Sequence, residues 1–420
     1  MLRPSVGFLA LSSCVTWRFG IGPGSAWRAT DDNAPRESWL MADVVCTSVA
    51  APARLPRRLG RLIWAMSTGN KAAVLAGVDR LEIRDVPMPP APGPNQVVVQ
   101  IKALGICGSD VHYWKHGRIG SFVLEKPMVI GHESAGIIAK VGPNVQHLRV
   151  GDRVAIEPGE SCRTCRFCKT GQYNLCPGMK FFATPPYDGS LCNFILHPAD
   201  LCFRLPGNVS LECGALCEPL SVGVYACQRG QCQPGQTVAV FGAGPIGLVS
   251  MIAAFAFGAV RVIVTDISDE RLEFAKSMGA SAVVNVKALN EKEVAAAIIG
   301  ANQGEPVSLS IECSGSERAV RPAILCTQPG GCVTLVGMGN DNANIPIIDA
   351  AVRQVDLRGI FRYKNTYPTC ISLLERGLVN VVPLITHRFS LETWDHDNLI
   401  DGFETARTGR DGAIKVMFSL

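Results

Sequence analysis

No run of about eighteen uninterrupted apolar residues occurs in the sequence, so no segment reads as a membrane-spanning helix. Strong charge of either sign is also missing. The 40 Lys and Arg against 36 Asp and Glu leave a formal +4, too little to mark a nucleic-acid-binding chain. There is no internal repeat and no low-complexity tract, which sets aside solenoids and biased disordered arrays. Cysteine is plentiful, but 17 is an odd number spread over 420 residues. That excludes the compact, even-numbered framework of a small secreted disulfide scaffold and points to a reducing compartment in which some cysteines hold metal. The 47% hydrophobic and 18% charged composition is that of an ordinary globular chain long enough for two or three domains.

Residues 1–65 contain no lysine but eight arginines, and they hold Trp17, Trp27, Trp39 and Trp64, four of the chain's 6 tryptophans. They show no hydrophobic period. An Arg-rich organelle transit peptide is one reading, but Asp31, Asp32, Glu37 and Asp43 oppose it, because such peptides are poor in acids. The stretch VGFLALSSCV is short for a secretory signal. We therefore expect a disordered or non-native extension, with the folded protein starting near Met66 and residing in the cytoplasm. If the segment is a transit peptide, a plastid or mitochondrial location follows.

From Lys71 the pattern is regular. KAAVLAG, VVVQIKALGICG, ESAGIIAKVG and GDRVAI are short, rich in Val and Ile, and punctuated by Gly, Pro and Asn, as strands are. Around Pro219 the style changes. TVAVFGAG reads as a buried strand, PIGLVSMIAAFAFG as a helix, VRVIVTD as a strand and DERLEFAKSMG as a helix. ASAVVNV, SLSIECSG and CVTLVGM then read as further strands. Alternating strand and helix predicts an α/β class with a doubly wound parallel sheet. After about residue 362 the pattern is mixed again and ends in the strand-like AIKVMFSL.

Three motifs carry chemistry. In SCRTCRFCKTGQYNLC, Cys162, Cys165, Cys168 and Cys176 follow the spacing C-x-x-C-x-x-C-x7-C. Four thiolates so close can enclose one tetrahedral zinc with no open position, a structural site. A disulfide reading gives no reason for the third cysteine. Arg163, Arg166 and Lys169 lie in this loop, yet no recognition-helix pattern surrounds it, so a nucleic-acid module is not expected. A second set is scattered. Cys107 in GICGSDVHYW and His132–Glu133 in VIGHESAG sit beside glycines, and Glu218 in GALCEPLS precedes the change of style. A catalytic zinc needs three protein ligands and an open position. Third, VFGAGPIG contains Gly242, Gly244 and Gly247 between a strand and a helix, and Asp266 ends the next strand nineteen residues on. This is the dinucleotide fingerprint: glycines let the backbone approach a pyrophosphate, and the acid takes a ribose hydroxyl. Arg271 is expected on the adenine side.

Taken together, GICGSDVHYW, KPMVIGHE, FFATPPYDGSL, GALCEPLSVGV, GAGPIGLV, FRYKNT and PLITHRF resemble segments of the medium-chain zinc-dependent dehydrogenases. The likeness is strongest to the sorbitol and related polyol dehydrogenases, especially plant-type members, and covers roughly residues 70–420. It implies a GroES-like β-rich catalytic domain from residues 66–219 and 363–420, with a Rossmann NAD-binding domain at 220–362 between them. It implies Cys107, His132 and Glu133 as ligands of a catalytic zinc, with Glu218 beside it as ligand or through water. A glutamate directly after the histidine marks the polyol branch. Tyr113, Arg362 and Tyr363, with Glu218, match substrate-lining positions, and Ser109 and His112 match a proton relay. Ile246, Val336, Gly337, Met338, Phe361 and Arg362 are implied cofactor contacts beside the glycines, Asp266 and Arg271. The four-cysteine loop, absent from some animal members, favours a plant, fungal or bacterial type. The resemblance implies NAD-dependent oxidation of a polyol secondary hydroxyl to a ketose, sorbitol to fructose first, xylitol or L-idonate next, by a homotetramer. An inactive homologue would show damaged ligands or a damaged glycine loop, and neither is present.

Overall fold

The computed structural model describes residues 69–340 and 342–420, so the expectations for residues 1–65 lie outside the described residues. Two large sheets organise the rest. The first has seven strands, ordered Cys202–Arg204, Arg153–Ile156, Glu133–Val141, Gln96–Gly105, Lys415–Ser419 and Ile385–Ser390, with Phe194–Pro198 also paired to Gln96–Gly105. Strand Gln96–Gly105 (QVVVQIKALG) is its spine, buried along most of its length because Val and Ile face packed layers on both sides. The C-terminal strand Lys415–Ser419 returns to this sheet and pairs antiparallel with the spine.

The second sheet has six strands, all parallel, in the order Ala282–Asn285, Arg261–Asp266, Thr237–Phe241, Val307–Glu312, Thr327–Leu335 and Asp356–Gly359. Numbered by chain position within the sheet this is 3-2-1-4-5-6, the doubly wound dinucleotide-binding order, with its switch point between Thr237–Phe241 and Val307–Glu312. The fold class read from the sequence is therefore present in full.

Several helices were not legible from the pattern. Leu211–Ala215 and Cys217–Gly230 lead into the parallel sheet, and Glu291–Ala301 and Glu317–Cys326 connect its strands. Pro219 suggested a break, but it falls in the first turn of Cys217–Gly230, where its missing N–H has no intrahelical partner in any case. The predicted strand VVVQIKALGICG ends early, at Gly105. Cys107 is instead the N-cap of helix Gly108–His116, whose Asp110 carboxylate accepts the Cys107 backbone N–H at 3.1 Å.

Candidate active site and coenzyme cleft

Sheet register builds the first metal cluster. Gly105 at the end of the spine stands opposite Glu133 on one neighbour and Met417 on the other. Cys107, His132–Glu133 and Lys415 thus meet at one end of the sheet. Gly105 is required there, since a Cβ would lie 2.2 Å from the Glu133 carboxylate. One donor atom each from Cys107, His132 and Glu133 lies within 4.8 Å of the others. A sulfur, an imidazole nitrogen and a carboxylate oxygen in a half-open cluster form a donor set suited to a three-ligand zinc.

Two residues that the sequence reading passed over hold these groups. Asp110 is 1% exposed, and its Oδ1 lies 3.2 Å from His132 Nδ1. With its Nδ1 proton on that carboxylate, the ring would offer Nε2 to a metal ion, which would take the place of the Nε2 proton. Burial opposes charge on His132, but the Asp110 carboxylate and the Cys107 thiol outweigh it and hold its pKa well above the usual value. Lys415 Nζ donates to both Glu133 oxygens, at 2.7 and 2.8 Å, and to Ile106 O at 3.0 Å. The available signals were the capping spacing of Asp110 after Cys107 and a lone lysine in the apolar strand AIKVMFSL.

Glu218 is buried beside this cluster but is not one of the three converging donors. Its Oε1 accepts the Tyr363 hydroxyl at 2.9 Å. Burial pushes its pKa up to about 7, with His132 drawing it down and Glu133 pushing it further up. Arg362 is clamped by aromatic rings, its guanidinium 3.6 Å from the Phe181 ring centroid and 4.8 Å from that of Phe361, and it donates to Thr184 Oγ1 at 3.2 Å. Burial lowers its pKa to about 10, so it stays charged. Tyr113 is buried, which raises its hydroxyl to about 12, against the pull of the Arg362 charge. Phe181 stands 5.8 Å from the His132 ring and so joins the metal cluster to the Arg362 wall. Ser109 is half-buried in the first turn of helix Gly108–His116, and His112 is exposed three residues on, with its pKa lowered by burial and by His116. No direct hydrogen bond joins Ser109 to His112; spaced i, i+3, they lie on one helix face.

The second cluster is the four-cysteine loop. Its four sulfurs also lie within 4.8 Å of one another. Cys165 and Cys168 are 3.5 Å apart and Cys162 and Cys168 4.0 Å. A tetrahedral zinc with Zn–S bonds of about 2.3 Å has a sulfur–sulfur edge of about 3.8 Å, which these distances bracket. Hydrogen bonds from Thr164 and from the Cys165 N–H bring the Cys162 thiol down to about 5, favouring the thiolate a metal needs.

In the parallel sheet a cavity of about 920 Å³ opens at the switch point. Gly242, Gly244, Asp266 and Arg271 line it, as do Lys287, Ser314 and Arg318, which the sequence reading did not single out. Gly242 has φ +100, and a Cβ on Gly247 would lie 1.7 Å from Gly242 O, so both glycines are dictated by the turn. Asp266 Oδ2 accepts the Ala243 N–H at 2.7 Å and Oδ1 the Ser268 N–H at 3.0 Å. Its carboxylate therefore ties the glycine turn to the next strand. The other predicted coenzyme contacts do not line this cavity. Ile246 packs against the core and Gly247 faces the Gly242 turn, while Val336, Gly337, Met338, Phe361 and Arg362 follow the outer strands Thr327–Leu335 and Asp356–Gly359, further along the sheet.

Comparison with known proteins agrees with this architecture. Residues 93–207 match the alcohol dehydrogenase GroES-like domain and residues 245–376 the zinc-binding dehydrogenase family. The chain is 51% identical to a sorbitol dehydrogenase of Arabidopsis thaliana over 84% of its own length and 95% of the relative's. It is 49% identical to an L-idonate 5-dehydrogenase of Vitis vinifera, with 84% and 95% covered. A sorbitol dehydrogenase of Bos taurus is also 49% identical, over 83% of this chain and 95% of that one, so overall identity does not separate plant from animal types. Among solved structures, the 2R,3R-butanediol dehydrogenase of Bacillus subtilis superposes with a TM-score of 0.74 at 30% identity, covering 84% of this chain and 100% of that one.

Proposed function

The chain belongs to the zinc-dependent medium-chain dehydrogenases, in their polyol dehydrogenase branch, and on that premise we propose that it oxidises a secondary hydroxyl of a polyol to a ketone with NAD. In this reading residues 66–219 and 363–420 form the catalytic part and 220–362 the coenzyme part. The observation that carries it is the convergence of Cys107, His132 and Glu133 donors within 4.8 Å, next to a wall made of Arg362, Tyr363 and Glu218. Cys107, His132 and Glu133 would hold a zinc ion, which when bound supplies a Lewis acid that polarises the alcohol oxygen. Asp110 and Lys415 keep the His132 and Glu133 side chains in place. Arg362, Tyr113, Tyr363 and Glu218 take hydroxyls flanking the reacting carbon. Short apolar alcohols would leave these buried groups unpaired, which is the basis of rejection. Ser109 and His112 carry the proton outward, and the lowered pKa of His112 keeps it neutral and able to accept. The Cys162, Cys165, Cys168 and Cys176 loop takes a second, structural zinc.

The reading extends to a cytoplasmic homotetramer acting on a small polyol, with neither nucleic acid nor membrane as partner. All fifteen described cysteines are free, which suits a reducing compartment, and no described helix is long and apolar enough to cross a membrane. The deciding experiment is a substrate panel with NAD: sorbitol, xylitol, ribitol, L-idonate and ethanol. Sorbitol or xylitol should lead and ethanol should trail far behind; preference for ethanol, or no polyol turnover, would overturn the proposal. L-idonate is the second reading, favoured by the 49% identity to the Vitis vinifera enzyme.

Coenzyme choice gives a separate prediction. Asp266 sits where a 2′-phosphate would meet its negative charge at close range in a partly dry crevice. Arg271, Lys287 and Arg318 line the same cavity and pull the other way. We expect the carboxylate to dominate, giving a preference for NAD over NADP of about a hundredfold or more in kcat/KM. Asp266→Ser should lose most of it, chiefly through weaker NAD use, because it also frees the Ala243 and Ser268 amides. Equal use of both coenzymes by the wild type would assign the choice to the basic residues instead.

A further inference from the structure

The four-cysteine loop is tied to the substrate wall by more than proximity. At its base, Gly159–Glu160 pairs antiparallel with Lys180–Phe181, and this Phe181 is the ring beneath the Arg362 guanidinium. At its other end the loop meets residues 361–365. The Asn365 backbone N–H donates to Tyr173 Oη at 2.7 Å, and Tyr173 Oη donates to Glu157 Oε1 at 2.7 Å. Asn174 Nδ2 donates to Phe361 O at 3.0 Å, and Asn365 Nδ2 reaches Gly171 O at 3.4 Å. Tyr173 and Asn174 lie between Cys168 and Cys176, inside the loop that the metal would close.

The segment held in this way is conformationally demanding. Arg362 has φ +52 and Asn365 φ +53, the left-handed region that non-glycine residues occupy only when their surroundings hold them there. The hydrogen bonds from the loop flank both positions. Between them stand Arg362 and Tyr363, the groups that grip substrate hydroxyls in the reading above.

We propose that Tyr173 and Asn174 are positioning residues for polyol recognition: through them the four-cysteine loop sets the backbone of residues 361–365 and so the aim of Arg362 and Tyr363. The loop is thus a template for specificity as well as a metal-held element. This rests on the polyol reading for its kinetic consequence but not for its structural one.

The test is Tyr173→Phe in the full chain loaded with zinc, which removes the acceptor for Asn365 N–H and the donor to Glu157 with little change of shape. Asn174→Ala, which cuts the separate bond to Phe361 O, repeats it should the first variant not fold. Asp200→Asn is the control, since it weakens the exposed 2.8 Å ion pair to the loop's Arg163 and leaves every hydrogen bond from the loop to residues 361–365 in place. The expected result is a KM for sorbitol raised about tenfold with kcat and the KM for NAD little changed. Zinc content should be unchanged, and amide hydrogen exchange in the peptide spanning Phe361–Asn365 should quicken by about tenfold or more. The control should match wild type in every respect. Unchanged exchange overturns the proposal whatever the kinetics do, and so does faster exchange with an unchanged polyol KM. If the wild type turns over no polyol at all, the functional reading fails, and the exchange comparison alone decides whether the loop positions residues 361–365.

Discussion

Cys107→Ser should lower kcat at least about a thousandfold, the effect of about 4 kcal/mol in the barrier, while leaving a folded protein that still binds NADH. The fold around this cluster does not depend on a metal. His132 is anchored by Asp110, Glu133 is anchored by Lys415, and both pairs sit between strands already paired over many residues. Removing the sulfur removes a ligand and little else. The four-cysteine loop differs. Its one-turn helix Arg166–Lys169 has no buried residue, so little apolar burial holds that part of the loop. Cys168→Ser should therefore leave catalysis intact only as far as the fold survives. Closed zinc sites in small peptides contribute on the order of 10 kcal/mol or more, and that contribution is what is at risk. Metal analysis should give about two zinc ions per wild-type chain and about one in either variant. A fresh, active wild type with one zinc or none would sink the assignment of two sites, and an active Cys107→Ser would sink the catalytic one.

How much of this was legible in the sequence depends on the distance between partners. The four cysteines and the glycine turn are local patterns, and the structure brings each together as spacing implied. The central strands of both sheets were read from Val and Ile runs, because burial on a sheet imposes its signal within six to ten residues, whereas Phe194–Pro198, Cys202–Arg204, Ile385–Ser390 and Asp356–Gly359 carry too weak a run and were not read. Helix Cys217–Gly230 was hidden by the change of style at Pro219, which the structure places in the first turn, and its Gly223 meets a tight helix crossing, where a Cβ would lie 2.6 Å from Val249 O. Asp110 and Lys415 were missed for a different reason. Each looks like a surface charge in its own segment, and only the fold reveals the partner, His132 at a separation of 22 and Glu133 at 282. Phe181 likewise stood inside a quoted motif without a role until the structure set Arg362 above it.

Lys415→Met should destabilise the protein by about 3–5 kcal/mol, the usual result of removing one member of a buried ion pair. Lys415 is 4% exposed and Glu133 0%, so neither charge can turn to solvent when the other is lost. Burial alone would push the lysine toward its neutral form, but the Glu133 carboxylate and Cys107 outweigh it and raise its pKa. The replacement is close in volume, which limits any packing contribution and isolates the charge effect. It also leaves Ile106 O without its donor. Two further measurements separate this explanation from a general loss of packing. The double variant Glu133→Gln, Lys415→Met should recover most of the lost stability, because no buried charge then stands alone. The single variant should also lose less in zinc-loaded protein than after chelation, since a cation bound by Glu133 would replace the ammonium. A loss below about 1 kcal/mol, or a double variant no more stable than Lys415→Met, would mean that the pair is not what holds Glu133 at the metal cluster.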